Sequence, residues 1–243
     1  MGPGLMGGNA GVPRRYFDVA VSAFVVVLVL SNIASSAKIV DLGFSIFGIR
    51  LAFDGGTLLF PFAYVLGDVL TEVYGFKAAR RAIWTGFAIL AFSALFFFVL
   101  QALPGEASWE ERAGSAAYGA ILGGMSAGGI VLASLSGYLA GGFSNAVLLS
   151  RIKVWMKGRM FWARAMASTL VGQLLDSVVF VSVATLAGVF PPSLFLSLVL
   201  TNYVLKCAIE AAALPGTSAV VRWLKKREGS EAFDAGVKYR PFG

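Results

Sequence analysis

Along this chain apolar residues gather into long runs, and most charges fall between them. Crossing ~30 Å of hydrocarbon takes roughly 20 helical residues at 1.5 Å per residue. Six runs meet that requirement and predict membrane-spanning helices over 16–37, 57–75, 80–103, 116–148, 162–189 and 193–224. Residues 39–56 are too short to cross. They carry Phe44, Ile46, Ile49, Leu51 and Phe53 among small and polar residues, which fits an ordered extracytoplasmic loop or short hairpin. The fourth run is rich in glycine, with Gly119, Gly123, Gly124, Gly128, Gly129, Gly137, Gly141 and Gly142. Several lie four apart, a spacing that lets a neighbouring helix approach backbone to backbone.

Five ionisable residues break the apolar pattern: Asp68, Glu72, Asp176, Lys206 and Glu210. A charge at mid-bilayer costs ~2.5–3.5 kcal/mol on insertion scales, so it needs a partner or a polar cavity. Interhelical hydrogen bonds average about 0.6 kcal/mol in membranes, too little to explain five such residues by packing alone. Helical spacing groups them. Asp68 and Glu72 are four apart and share a face, as do Gln173 and Asp176, three apart. Asn202, Lys206 and Glu210 repeat every four residues and form a polar stripe, within which Lys206 and Glu210 can pair. Rise per residue puts Asp68, Asp176 and Lys206 near mid-membrane, where they can meet in one cavity. Glu72, close to Lys77 and Arg80, reads equally well as an ion pair at the helix end. Asp54 or Thr57 can cap the start of the second helix, with Pro61 in its first turn.

Charge changes the picture in one respect. The formal charge is +7, but the basic residues flank apolar runs and do not stripe a helix face, so they read as membrane anchors and not as a nucleic-acid surface. With the N-terminus inside, Arg14, Arg15, Lys77, Arg80, Arg81, Arg151, Lys153, Lys157, Arg159, Arg164, Arg222, Lys225, Lys226, Arg227, Lys238 and Arg240 are all cytoplasmic. Those are sixteen of the 20 Lys and Arg. Lys38, Arg50 and Arg112 fall outside, and Lys206 is intramembrane. This asymmetry predicts six helices with both termini cytoplasmic. Arg14–Arg15 ahead of the first run superficially suggests a signal peptide, yet apolar character continues to Ile33, longer than such a segment needs. Residues 1–15, rich in glycine, are expected to be disordered, and 225–243 to form a basic, disordered cytoplasmic tail. The membrane domain is then 16–224.

No histidine occurs, which removes imidazole catalysis and the usual zinc ligand. One cysteine, Cys207, excludes an intramolecular disulfide and a cysteine metal cluster. Asp68 and Glu72 alone make a weak metal site, and no phosphate-binding G-x-x-x-x-G-K-[ST] loop is present. No cofactor, metal or enzymatic activity is expected.

Particular sequence blocks carry a resemblance. They are Ser31–Asn32, Asp54-Gly55-Gly56-Thr57-Leu58-Leu59-Phe60-Pro61, and Gly67-Asp68-Val69-Leu70-Thr71-Glu72-Val73-Tyr74-Gly75 followed by Ala79-Arg80-Arg81. Further on come Ser168-Thr169-Leu170-Val171-Gly172-Gln173-Leu174-Leu175-Asp176-Ser177, and Tyr203 and Lys206 ahead of Leu214–Pro215. In this order, from about residue 16 to 224, the chain resembles the queuosine-precursor transporter family, formerly described as vitamin uptake transporters. The resemblance implies an all-α, six-helix inner-membrane importer of 7-deazapurines such as preQ0 or preQ1. It also implies a fold like the substrate-binding subunits of energy-coupling-factor transporters. Such a protein works alone or as a homo-oligomer in the lipid bilayer; the alternative is a capture subunit served by a separate ATPase.

A 7-deazaguanine offers an acceptor O6 beside N1–H and N2 donors, and one carboxylate can take both donors. Asp176 or Glu210 can serve there, with Gln173, Asn202 or Asn32 addressing O6, Asp68 meeting an aminomethyl cation, and Lys206 neutralising the site when empty. Phe60, Phe62, Tyr64 and Tyr203 are candidate aromatic faces. The expected substrate-binding residues are Asn32, Asp68, Gln173, Asp176, Asn202, Tyr203, Lys206 and Glu210.

Overall fold

The computed structural model of the chain describes residues 15–46, 48–126, 128–229 and 231–242. The glycine-rich head therefore lies outside the described residues, Arg15 excepted. Helix α1 (Phe17–Ala37) leads into an antiparallel hairpin of β1 (Ile39–Ile46) and β2 (Ile49–Asp54). A 3₁₀ turn, Gly55–Leu58, then starts α2 (Phe60–Tyr74), followed by α3 (Phe76–Ala102), the short α4 (Ala107–Arg112) and α5 (Gly114–Ser126). The long helices α6 (Gly129–Trp155), α7 (Phe161–Leu186) and α8 (Phe195–Glu228) complete the bundle.

Helices α1, α3, α6, α7 and α8 are each long and apolar enough to cross a membrane, whereas α2 has 15 residues. The distribution of side chains explains what solvent they need. On α7, Ser168, Thr169, Gly172, Gln173, Asp176 and Ser177 are buried, while Leu170, Val171, Leu174, Leu175 and Val178 face outward. Helix α3 likewise exposes Phe92, Leu95, Phe96, Phe98 and Val99. A water-soluble helix would bury its apolar stripe. Here the polar stripe is inside and the outer surface is hydrocarbon, the arrangement a bilayer demands. The chain is a multi-pass helical membrane protein.

The run 116–148, expected as one span, is two helices. A continuous helix of that length would rise about 50 Å at 1.5 Å per residue, well beyond a bilayer core. It stops at Ser126, and Gly128 turns the chain at φ +77° before α6 begins. Only a residue without Cβ adopts that left-handed conformation freely. The glycines of α6 mediate close packing against α7. A methyl group added at Gly141 would lie 2.6 Å from the carbonyl oxygen of Gly172, and one at Gly172 would lie 2.8 Å from Asn145 Cβ. Around this contact Tyr64, Asn145 and Asp176 come together.

The hairpin expected between the first two spans is present. Its register pairs Ile39 with Asp54 and Ile46 with Ile49, with an irregularity between Asp41 and Ser45. It is anchored on α8, because Ala52 N donates to Ser197 Oγ at 3.2 Å. The hairpin marks one end of the bundle. The opposite end carries Arg15, Lys77, Arg80, Arg81, Lys153, Arg164 and Lys225.

At that basic end residues 231–242, expected to be disordered, pack against the helices. Asp234 accepts from Phe76 N at 2.8 Å and from Ser150 Oγ at 2.6 Å. Trp84 Nε1 donates to the Pro241 carbonyl at 2.8 Å, and the Tyr239 ring meets Phe76. Glu231 bridges Lys153 at 2.9 Å and Lys225 at 2.6 Å. The segment is a strap across the bundle end. Burial pushes the Glu231 carboxyl up, but the hydrogen bonds from Lys225 and Lys153 outweigh it and hold its pKa below the ordinary glutamate value.

Two outcomes follow from this packing. Gly141→Val is expected to lower the thermal unfolding midpoint in detergent, by overpacking worth about 1–3 kcal/mol, with Gly123→Val, which has open space beside it, far less damaging. For Glu231, a depressed folded pKa means its contribution is complete above the unfolded value and is lost as pH falls through the folded one. A spin label at Val237, in a Cys207→Ser background, should therefore gain mobility only once pH falls below the ordinary glutamate range and stay immobile at neutral pH.

Candidate functional site

The inward faces of α2, α7 and α8 carry a column of polar side chains running from the hairpin to the basic end. Nearest the hairpin, Asp54 ends β2 and caps the 3₁₀ turn by accepting from Gly56 N at 3.1 Å. Capping is only part of its role. Its carboxylate also accepts from Asn202 Nδ2 at 2.8 Å, from Thr57 Oγ1 at 2.8 Å and from Ser35 Oγ. Four donors around one carboxylate satisfy an acceptor-only group. This knot ties α1, the hairpin and α8 together.

One turn further along α8, Lys206 Nζ donates to Asp176 Oδ2 at 2.6 Å, with both side chains buried. Two phenyl rings flank the ammonium, Phe60 at 4.8 Å and Phe180 at 5.8 Å from ring centroid to Nζ. Cations sit favourably over aromatic faces at such distances. Ser35, Asp54, Phe60, Asp176, Phe180 and Lys206 enclose a cavity with room for little more than one water molecule. Two carboxylates, one ammonium and two rings thus converge on one point between α2, α7 and α8.

Glu210, a further turn along, does not pair with Lys206 as its spacing suggested. It accepts from Thr169 Oγ1 at 2.7 Å and from Gln173 Nε2. Asp68 does not join Asp176 and Lys206 either; its partner is Asn145 Nδ2 on α6 at 2.6 Å. Asn202 is buried on Asp54, and Gln173 on Glu210. Asn32 is buried too, with Nδ2 turned back to the Leu28 carbonyl at 2.9 Å. Tyr203 is half-buried and lies one residue off the face that carries Asn202, Lys206 and Glu210. Of the four aromatic candidates, Phe60 reaches the ion pair, Phe62 faces outward, and Tyr64 lies with Asp176 beside Gly141.

The basic end is closed by a second, larger cluster. Glu72 is wholly buried and is met not by Lys77 or Arg80 but by residues from α6, α7 and α8. Arg164 grips it in two-pronged fashion, Nη1 at 2.7 Å and Nη2 at 3.1 Å. Lys225 Nζ donates at 2.6 Å, and Lys153 Nζ lies 3.4 Å from Oε1 while donating to the Glu72 carbonyl at 2.7 Å. Arg164 and Lys153 read as interface anchors in the sequence, yet both are buried. Phe180, Asn145 and Arg164 were missed as site residues. Arg164 and Asn145 left a trace, each a polar residue inside an expected apolar run, 162–189 and 116–148.

Comparison with known proteins bears on this arrangement. A family model described as "Putative vitamin uptake transporter" matches residues 54–220. The chain belongs to that family. A protein named "Probable queuosine precursor transporter" from Bacillus subtilis (strain 168) is 27% identical over 180 residues, covering 72% of this chain and 74% of the relative. One named "Queuosine precursor transporter" from Escherichia coli (strain K12) is 27% identical over 198 residues, covering 80% and 84%. No solved structure gives a significant match. The family match spans Asp54, Asp176, Lys206 and the Glu72–Arg164 pair alike, while Ser35 and Lys225 fall outside it.

Breaking one partner of a buried ion pair costs about 3–5 kcal/mol because the other is left uncompensated. Arg164→Met leaves Glu72 with Lys225 and Lys153, whereas Glu72→Gln leaves three cations crowded together. Thermal unfolding in detergent should therefore show both variants destabilised, and Glu72→Gln the more severely.

Proposed function

We propose that this protein imports a 7-deazapurine precursor of queuosine, bound where Asp54, Asp176, Lys206, Phe60 and Phe180 converge. The observation that carries the reading is the charge and composition of that point: two carboxylates, one ammonium and two rings beside the ammonium. The family and the names of both relatives agree with it. In this reading the chain crosses an inner membrane six times, through α1, α2, α3, α6, α7 and α8, with the basic end cytoplasmic. Helix α2 is completed to full depth by the 3₁₀ turn before it.

The chemistry runs as an exchange of partners. Asp176 is held by Lys206 until a ligand arrives. A deazaguanine edge then presents N1–H and N2–H to Asp176, and the released Lys206 ammonium donates to O6. The flat ring lies between Phe60 and Phe180, where stacking is worth about 1–3 kcal/mol per base. Asp54, Asp176 and Lys206 together carry a net charge of −1, so an aminomethyl cation on the ligand brings the site to neutrality beside Asp54. That favours preQ1 over the uncharged preQ0. Because the cavity is small, Phe60 and Phe180 have to part for loading. Alternating access then opens the site in turn toward the hairpin end and toward the basic end, around helices that Glu72 holds together.

Uptake of labelled preQ1 into a salvage-dependent, transporter-deleted host tests the reading. Wild type should take it up; Asp176→Asn and Lys206→Met, at equal membrane levels, should lose at least about tenfold, a change of about 1.4 kcal/mol. Excess unlabelled preQ1 should compete better than preQ0. Equal uptake by wild type and Asp176→Asn would remove Asp176 from the site, and no uptake by well-inserted wild type would exclude this substrate.

A further inference from the structure

Two buried carboxylates stand outside the exchange just described. Asp68 is 3% and Glu210 4% exposed, and neither has an ion-pair partner among the described residues. The two are close enough to act on one another electrostatically. Each instead contacts a carboxamide in an unusual way. Asn145 gives its Nδ2 to Asp68, and Gln173 its Nε2 to Glu210, while Asn145 Oδ1 and Gln173 Oε1 are buried with no partner. A buried acceptor without a donor costs about 1–3 kcal/mol.

The amides resolve this cost in one circumstance. If the carboxyl group carries a proton it becomes a donor, and turning the amide over places the orphaned oxygen against that O–H. Each carboxamide can therefore partner either protonation state of its acid. Lys206 acts on Glu210 electrostatically but is no substitute partner for it, because its ammonium is engaged by Asp176 at 2.6 Å. The other titratable groups facing the two acids are Glu72 and Tyr64 from α2 and Cys207 from α8. None of these is a cation; α6 and α7 contribute the neutral Asn145, Thr169 and Gln173.

We propose that Asp68 and Glu210, read by Asn145 and Gln173, form a proton-carrying site that couples transport to a pH gradient. The site rests on the substrate reading above but is distinct from the substrate's own ion pair. A proton from water on one side forms an O–H bond on one of the two carboxyls. That bond breaks to water on the other side after the substrate has crossed, and nothing is oxidised or reduced. The loaded carrier then moves with one carboxylate and one neutral acid in place of two carboxylates, one fewer charge for the membrane interior to disfavour.

Proteoliposomes loaded with the purified protein separate the two claims. Counterflow of labelled preQ1 without any gradient tests the substrate reading alone. With the interior one pH unit more alkaline and the membrane potential clamped to zero, wild type should accumulate preQ1 about tenfold, the limit for one proton per substrate. Asp68→Asn and Glu210→Gln should retain counterflow and lose accumulation. Counterflow by wild type with no pH-driven accumulation, or accumulation driven only by a sodium gradient, overturns the proton site and leaves the substrate reading intact. Absence of counterflow by wild type overturns both, and variants that insert yet lose counterflow return these acids to the substrate site. Should either variant fail to insert, a pH dye trapped with wild type decides: preQ1 added outside must acidify the lumen, and no acidification overturns the proposal.

Discussion

Glu72 is the residue on which the rest of the bundle depends. It lies wholly out of contact with solvent, and its charge is met by Arg164, Lys225 and Lys153 from three different helices. Taking such a group from water costs several kcal/mol per ion, recovered only when the geometry is good and every lone pair is used. The guanidinium fork of Arg164 supplies that geometry, and two ammonium groups supply the excess of positive charge. Glu231 from the strap offsets part of that excess. Four helices and the following segment therefore meet at a single carboxylate, and their relative positions are set by charge where lipid-facing surfaces offer little preference.

The same logic, weaker and more exchangeable, governs the centre. The Asp176–Lys206 pair is also buried, but it involves one contact on each side and two flanking rings in place of a cage of donors. A ligand with matching donors and a positive charge can replace the internal partner without leaving either charge bare. The network at Glu72 is built to stay formed, and the one at Asp176 to be traded. The contrast between a multiply anchored acid and a singly anchored one is what separates scaffold from site along an otherwise continuous polar column.

Much of this was legible in the residues. The spans near α1, α3, α7 and α8 follow from apolar run length, an ordered loop or hairpin from a segment too short to span, and the common face of Asn202, Lys206 and Glu210 from their spacing. What the sequence does not contain is the azimuth of one helix against another. Lys206 and Glu210 sit one turn apart, so a local pair looked natural; Asp176 takes the lysine only because α7 packs where it does. The break at Gly128 was hidden because apolar character passes straight through it, leaving the excessive length of the run as the one sign. Arg164 resembled an anchor because Trp162 and Arg159 flank it in the manner of an interface. Residues 231–242 read as disordered because polar composition signals weak self-association, and their order comes from partners on other helices such as Phe76, 158 residues from Asp234.

The position of α8 in the chain has a consequence for biogenesis. Asp54 waits for Asn202, Asp176 for Lys206, and Glu72 for Lys225, all of them on the last long helix. Helices are made and inserted in order, so for a time the earlier ones sit in the bilayer with three acids short of a partner. During that interval the half-made protein presents polar surface to lipid, and membrane quality control would recognise it as incomplete. Arrival of α8 quenches all three sites along one face, so maturation of the bundle has the character of a single late closure and not of gradual assembly.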